Sequence, residues 1–193
     1  MQRTLWRALL GVMMAPMIVS CGGAPDPRTL EGATAYALLA LEQNDAERLY
    51  RVIDARARHA MISVVKDRGD ARALIERSYP APERAPALAT LGEASQVSTP
   101  MALFALRCNA ECRSGFSESL GAVTATRTEG AETIAHTTRD VDVRWYRKRS
   151  TDWWGLVWNT EALAAERDRA NRDLQIIREN AATYDRRRAL EAP

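Results

Sequence analysis

The sequence predicts an α+β protein, in which N-terminal helices pack on a three- to four-stranded antiparallel meander and a long C-terminal helix follows. Two periodicities support this fold class. Apolar residues recur every three or four positions between Leu49 and Val64, which is the spacing of one helix face. Later in the chain Val141, Val143 and Trp145 alternate with charged residues, which is typical of a half-buried antiparallel strand.

The N-terminal region is predicted to be helical as far as Gly69. The first helix covers Thr29 to Glu42, and Asn44 with Glu47 resembles a capping box that restarts the helix. The next helix carries the apolar stripe to Val64 and is expected to end at Gly69, where glycine weakens a helix. Charged residues occupy its other faces: Arg48, Arg51, Asp54 and Arg58.

Proline and glycine divide the middle of the chain. Tyr79–Pro82 predicts a loop, because the residue before a proline avoids helical angles. A brief helix is expected from Glu83 to Leu91, and Thr99-Pro100 starts another, with an N-cap residue before proline at the first helical position.

The last third of the chain predicts strands and then one helix. Four segments are rich in β-branched and aromatic residues: Val123–Thr128, Thr133–Thr138, Val141–Arg147 and Trp154–Trp158. From Glu161 to Leu190 the pattern is helical, with a narrow apolar stripe of Leu163, Ala170, Leu174, Ile177, Ala181 and Tyr184. Such a stripe suits docking along the chain's own body, or pairing with the helix of an envelope protein partner.

Residues 1–20 have the order of a secretory signal: Arg3 and Arg7, an apolar run, and a small residue before Cys21. The run is shorter than the roughly 20 apolar residues that span a bilayer. Ile18-Val19-Ser20-Cys21 resembles the lipobox of bacterial lipoprotein precursors. The resemblance implies cleavage between Ser20 and Cys21, and acylation of Cys21 as the anchor in the lipid bilayer. The alternative is a secreted protein with a cysteine near its cleavage site.

The resemblance also predicts the location of the protein. Gly22 stands where an inner-membrane retention signal would place aspartate, which implies an outer-membrane lipoprotein that faces the periplasm or the cell surface. Residues 21–27 are expected to form a lipidated tether, and residues 28–193 a single domain. Without the two arginines of the leader, 25 basic and 25 acidic side chains balance, which argues against nucleic-acid binding.

Cys108 and Cys112 are an even pair in an oxidising compartment, which favours a disulfide between them and a helix that loosens at Asn109. Two buried thiols are an alternative. A redox pair is another, although the spacing is not Cys-x2-Cys. A zinc site that adds His59 and His136 is a third, but these histidines lie on different predicted elements.

No pattern of catalytic residues is found, and neither a metal nor a cofactor is predicted. Ser114 and Ser117 have no histidine near them in sequence, and no glycine-rich phosphate loop occurs. Asp140 and Asp142 share one strand face, where a carboxylate pair competes with a solvated surface paired to Arg139 and Arg144. His59 lies beside the apolar stripe and is interpreted as a residue at the edge of the helix face and not as a catalytic base.

The tryptophans suggest a ligand pocket, for which packing in the core is the alternative. Trp145, Trp153, Trp154 and Trp158 are the candidate lining. The hairpin from Trp145-Tyr146-Arg147 to Trp153–Val157 is similar to the closing strands of the NTF2-like fold, and the Asn44-Asp45 break is similar to its opening. That resemblance implies a pocket for a small apolar ligand.

The sequence therefore predicts a membrane-anchored envelope lipoprotein with a binding or scaffolding domain. An NTF2-like pocket and a zinc or redox site at Cys108 and Cys112 are the alternatives. Arg186-Arg187-Arg188 is a basic cluster that either contacts anionic headgroups or ends the last helix in solvent.

Overall fold

The computed structural model describes residues 24–150 and 152–191. It confirms the α+β class: helices come first, an antiparallel sheet follows, and a long helix closes the chain. The helices are α1 (Leu30–Glu42), α2 (Ala46–Val52), α3 (Ala55–Ser78), α4 (Ala81–Thr90), α5 (Pro100–Arg107), α6 (Ala110–Ser119) and α7 (Thr160–Glu191). The strands are β1 (Val123–Glu129), β2 (Glu132–Thr137), β3 (Asp142–Tyr146) and β4 (Gly155–Leu156).

The four strands form a meander in the order β1-β2-β3-β4, with each neighbouring pair antiparallel. On the inner face, Val143 and Trp145 are buried as the alternation predicts, whereas Val141 precedes β3 and is exposed. The outer face carries ion pairs. The sheet also makes one isolated parallel bridge, from Leu156 to Ile53, which ties β4 to the junction between α2 and α3.

Two expectations for the N-terminal helices are wrong. The amphipathic segment is divided at Ile53-Asp54, and Asp54, expected on a charged face, is fully buried as the N-cap of α3. The helix does not end at Gly69 but continues to Ser78. Gly69 is exposed with open space around it, so its cost of about 1 kcal/mol is outweighed by the packing of the helix on α7.

Several caps agree with the sequence. Thr29 caps α1, and Thr99 caps α5 ahead of Pro100. The restart after α1 is capped by Asp45, whose carboxylate accepts from the Arg48 amide, and not by Asn44. The predicted loop at residues 79–82 is shorter than expected because α4 already begins at Ala81.

Helices α3 and α7 run side by side in the same direction. Asp54 contacts Thr160 at one end of the pair, Arg68 binds Asp173 in the middle, and Ser78 bonds Asp185 at the other end. The predicted stripe of α7 is buried along this contact, so α7 docks on the chain's own body. The Arg68–Asp173 ion pair, at 2.6 Å, joins the two helices through an arginine that is only 5% exposed.

The buried apolar residues form two clusters. The larger lies between α1, α2, the first half of α3, α5 and the inner face of the sheet, and we call this part the α+β body. The smaller includes Ile75, Tyr79, Leu91, Leu174 and Ile177. It fills the space between α3, α4 and α7, and we call residues 66–91 and 171–191 the helical arm. The described chain therefore has a mixed core at one end and a helical core at the other.

Candidate ligand-binding hollow

The four candidate tryptophans do not share one pocket. Trp145 is fully buried in the core, and its indole Nε1 has no hydrogen-bond partner among the described residues. Trp158 packs edge-on against Phe104 and Phe116, at the side of the same core. Trp153 and Trp154 lie together at the surface, in the segment that leads into β4, where they line a hollow with Gly155.

This hollow has a volume of about 450 Å³ and a lining in which basic side chains alternate with aromatic and aliphatic ones. Four basic side chains border it, and Asp152 is the one acidic side chain among the described lining residues. We call it the basic hollow and define it by Arg28, Arg51, Arg58, Tyr146, Lys148, Asp152, Trp153 and Trp154. Its chemistry suits an anion flanked by aromatic rings better than an apolar molecule.

Three distant parts of the chain meet at the basic hollow, and backbone contacts hold them. The Trp154 amide donates to the Pro27 carbonyl at 2.9 Å, which fixes the start of the domain against the segment before β4. Arg147 donates to the Arg28 carbonyl at 3.2 Å and lies over the Trp154 ring. The third part is the α2–α3 junction, which contributes Arg51 and Arg58.

Gly155 allows that junction to approach the sheet. A Cβ atom at Gly155 would lie 2.4 Å from the Asp54 Cα, closer than any side chain tolerates. At this point the Asp54 amide donates to the Leu156 carbonyl at 2.9 Å. A residue without a side chain is therefore needed where β4 crosses the start of α3.

Asp54 is a buried residue beneath the basic hollow, and its carboxylate accepts hydrogen bonds from the start of α3 and the start of α7. One carboxylate oxygen accepts from the amides of Arg56 and Ala57 and from the Arg56 guanidinium, and the other accepts from the Thr160 hydroxyl at 2.8 Å. The charge is thus shared by the start of α3 and the start of α7, and a helix N-terminus favours a negative group. The arrangement is structural, since every contact is internal.

The cations of the basic hollow differ in how they are neutralised. Arg51 binds Glu47 one turn away, and the hydrogen bond from this pair raises the pKa of Arg51. In the described part of the chain, no carboxylate lies within 4.0 Å of the side chains of Arg28, Arg58 or Lys148. The buried Nε of Arg58 has no hydrogen-bond partner among the described residues. Three positive charges therefore face the hollow without a carboxylate in direct contact, and Asp152 is the one acid beside them.

Arg58 also influences its neighbour Tyr50. Burial raises the pKa of Tyr50, and the positive charge of Arg58 acts against that rise. Tyr50 packs on Phe104 of α5, so the guanidinium stands between the hydrophobic core and the hollow. An anion in the hollow would complete the solvation of a charged group that the protein holds partly out of water.

Ion pairs cover the outer face of the sheet beside the basic hollow. Arg56 lies 4.2 Å above the Tyr146 ring and donates to Glu132 at 2.7 Å, and Arg144 binds the same carboxylate. Burial opposes ionisation of Glu132, but the hydrogen bonds from the two arginines outweigh it and lower its pKa. This face is charge-compensated, in contrast to the hollow.

The predicted aspartate pair forms part of this network. Asp142 binds Arg127 at 2.7 Å and His136 at 3.0 Å, and its pKa is lowered chiefly by the Arg127 hydrogen bond. Asp140 lies 3.3 Å from the other nitrogen of His136. The two carboxylates therefore share His136 on an exposed surface, and Asp142 also binds Arg127. The surface is solvated and charge-paired, but through Arg127 and His136 and not through the predicted Arg139 and Arg144.

Cys108 and Cys112 form a disulfide in the structure, with their Cα atoms 5.1 Å apart. The chain changes direction there: α5 ends at Arg107, and Asn109 caps α6, so the helix loosens where the sequence predicted. His59 lies on α3 and His136 on β2, away from each other in the fold. Among residues 24–150 and 152–191, no three His, Cys, Asp or Glu side chains are grouped as metal ligands.

The predicted anchor residues, Ser20 and Cys21, fall outside the described residues, and the far basic cluster lies outside this site. Arg186, Arg187 and Arg188 lie near the far end of α7, where Arg188 pairs with Asp185 and Arg186 donates to Thr183. None of the helices in the described ranges is both long enough and apolar enough to span a bilayer.

Comparisons of this chain with protein-family models, with curated proteins and with solved structures find no match. Sequence reasoning found Trp153 and Trp154 but missed the cations around them. Arg28, Arg58 and Lys148 are far apart in sequence and surrounded by other charged residues, so no local pattern marks them as members of one site.

Proposed function

We propose that this chain is a cell-envelope lipoprotein, anchored through Cys21 to the outer membrane, whose domain binds an anionic ligand and does not catalyse a reaction. The lipobox supports the anchor. The balanced charge of the remaining chain argues against nucleic acid as its ligand, and the absence of a nucleophile–base pattern from its sequence favours binding over catalysis.

A single observation carries the ligand class. Arg28, Arg58 and Lys148 converge on the basic hollow without carboxylate partners among the described residues. Clustered, uncompensated cations cost free energy through mutual repulsion, and a bound anion removes that cost. Guanidinium groups suit phosphate and carboxylate oxygens, because their donors match the geometry of these groups.

The aromatic lining limits the kind of anion. Trp153 is 40% exposed and contacts the Tyr36 ring, whereas Trp154 is half-buried beneath Arg147. A ligand in the basic hollow would meet both charge and aromatic surface, which suits a phosphate or carboxylate attached to a carbon skeleton. The volume of about 450 Å³ admits a small molecule or a headgroup.

The anchor is tested by membrane fractionation of the full chain expressed in a Gram-negative bacterium. Wild-type protein is expected in the outer-membrane fraction with a mass that includes acyl chains. The Cys21→Ser variant should lack the acyl mass and leave the outer-membrane fraction. An unchanged distribution of that variant would contradict the proposal.

The ligand class is tested by titration calorimetry with sn-glycerol 3-phosphate as the probe. The protein is the chain from Gly22, which retains the whole described core, since its buried apolar residues lie between Leu30 and Ala181. Binding is expected in the wild type, with at least about a tenfold loss in Arg58→Gln because a charge-assisted contact is removed. Arg186→Gln is the matched control. Equal affinity in both variants, or no binding, would contradict the assignment.

A further inference from the structure

We propose that the basic hollow is the face with which the domain docks on its own membrane, and that its ligand is the phosphate of anionic phospholipid headgroups. The inference rests on the proposed lipid anchor and names the ligand class of the same site. Its support comes from the position of the tether, the exposed side chains around it, and the charge distribution along the molecule.

The tether enters the domain beside the basic hollow. Pro27 is buried and held by Trp154, and Arg28 is part of the lining. Six residue steps separate Cys21 from Pro27, which limits their separation to about 22 Å even in a fully extended chain. Acyl chains on Cys21 would therefore hold this side of the domain within reach of the headgroups.

The side chains around that entry point suit a membrane interface. Arg28, Lys148 and Arg149 are exposed, and the last two come from the turn between β3 and β4. Trp153 in the following segment is 40% exposed. Basic residues near an anionic bilayer contribute about fivefold each to binding, and tryptophan favours the headgroup level.

The far end of the molecule provides a natural comparison. Thr160 begins α7 beside Asp54, under the basic hollow, and Arg186 lies 26 residues further along the same helix. At a rise of about 1.5 Å per residue, these positions are roughly 40 Å apart. The two basic surfaces therefore lie near opposite ends of α7, and the one at the basic hollow is beside the tether.

The test measures co-flotation of the soluble chain from Gly22 with vesicles of phosphatidylcholine alone or mixed with phosphatidylglycerol. Binding is expected to the mixed vesicles only and to weaken with added salt, because surface electrostatics are screened. Arg28→Glu with Lys148→Glu should reduce partitioning at least about tenfold, since two attractive charges become repulsive. Arg186→Glu with Arg187→Glu is the control with the same charge change, and its partitioning should stay near the wild-type value.

Thermal melting of each variant shows whether lost flotation results from misfolding or from lost contacts. Two further flotation measurements do not need the charge reversal: one uses Arg58→Gln, and the other uses the wild type at high salt. No flotation, or a loss caused only by the Arg186 and Arg187 reversal, would overturn the inference. Binding of sn-glycerol 3-phosphate without vesicle binding would overturn it and leave the proposed function standing. Vesicle binding without binding of sn-glycerol 3-phosphate would contradict the assignment of a soluble anionic ligand. The proposal that the basic hollow docks on the membrane would then stand.

Discussion

The α+β body and the helical arm use charge in different ways. Ion pairs follow and join the helices of the arm: Lys66 binds Asp70, Arg72 binds Glu76, and Arg68 joins α3 to α7 through Asp173. In the body, the basic hollow gathers cations around a single acid among the described lining residues. What distinguishes the basic hollow is that four cations converge on one concave surface, which is where an anion would bind.

The two regions also differ in what holds them together. Both regions have an apolar core, and the arm adds the Arg68–Asp173 ion pair between its parallel helices. The body also contains a buried carboxylate and a close backbone crossing under the basic hollow. Substitutions in the body should therefore cost more than equivalent substitutions in the arm, and the following predictions test this difference.

Asp54→Ala should have the largest effect, a loss of about 3–4 kcal/mol in the free energy of unfolding, because it removes an N-cap and leaves the Thr160 hydroxyl and the Arg56 Nε without their acceptor. Urea unfolding followed by circular dichroism measures it. Asp70→Ala, which removes an exposed carboxylate of the arm, is the control and should change stability by less than about 1 kcal/mol. Similar losses in both variants would remove the distinction between the regions.

Gly155→Ala should destabilise the protein by about 2–3 kcal/mol, since the added methyl group meets the backbone of Asp54 and the strand must shift. Thermal unfolding reports the change. Gly115→Ala, where a Cβ would enter open space in α6, should be neutral or stabilising. If Gly155→Ala were equally harmless, the close crossing would not be a constraint of the native body.

Removing the disulfide with Cys112→Ala should cost about 2 kcal/mol, a low value because the closed loop is short. Unfolding curves of the variant and of reduced wild-type protein should agree. Alkylation of the denatured, unreduced wild type from Gly22 onward should label no cysteine. Two labelled thiols would show that the body lacks this bond in solution.

Acid should weaken the ion pairs on the outer face of the sheet. The folded pKa of Glu132 lies below its unfolded value, so its contribution is present above the unfolded pKa and is lost as the pH falls through the folded one. Stability should therefore decline below about pH 4.5, and Glu132→Gln should be less stable at neutral pH with a shallower decline. A decline of equal steepness in wild type and variant would exclude Glu132 as a contributor.

Gly69→Ala is expected to have the smallest effect, a gain of about 0.5–1 kcal/mol, because alanine suits an exposed helix position with open space around it. Differential scanning calorimetry detects the corresponding rise in melting temperature. A loss of stability would mean that α3 bends or pauses at Gly69 in solution.

Much of the fold follows from local patterns in the sequence. The alternation around Val143 and Trp145 predicted the central strands, and the stripe from Leu163 to Tyr184 predicted the buried face of α7. The Thr99-Pro100 signal predicted the start of α5. Each of these elements can be predicted from its own residues, because burial of one face imposes a period of two on a strand and of three to four on a helix.

What the sequence did not predict depends on contacts between distant residues. In the sequence, Asp54 resembles the other charged residues of the helical segment. Its burial results from the approach of β4 and α7, and its partner Thr160 is 106 residues away. Gly69 looks like a helix end until α7 supports the helix beyond it. The basic hollow joins Arg28, Arg58 and Lys148 from three separate segments, so only the folded chain brings them together.

The central claim, that the basic hollow faces the membrane and the arm points away, is tested most directly in the native lipoprotein. The full-length protein, processed and acylated in the cell, is reconstituted into phosphatidylglycerol vesicles that contain brominated lipid, and tryptophan fluorescence is recorded. The account predicts strong quenching that falls by at least about half when Trp153 and Trp154 are both replaced by Phe, because Trp145 lies in the core and Trp158 packs at its side. Quenching that is absent, or unchanged in this double variant, would contradict it.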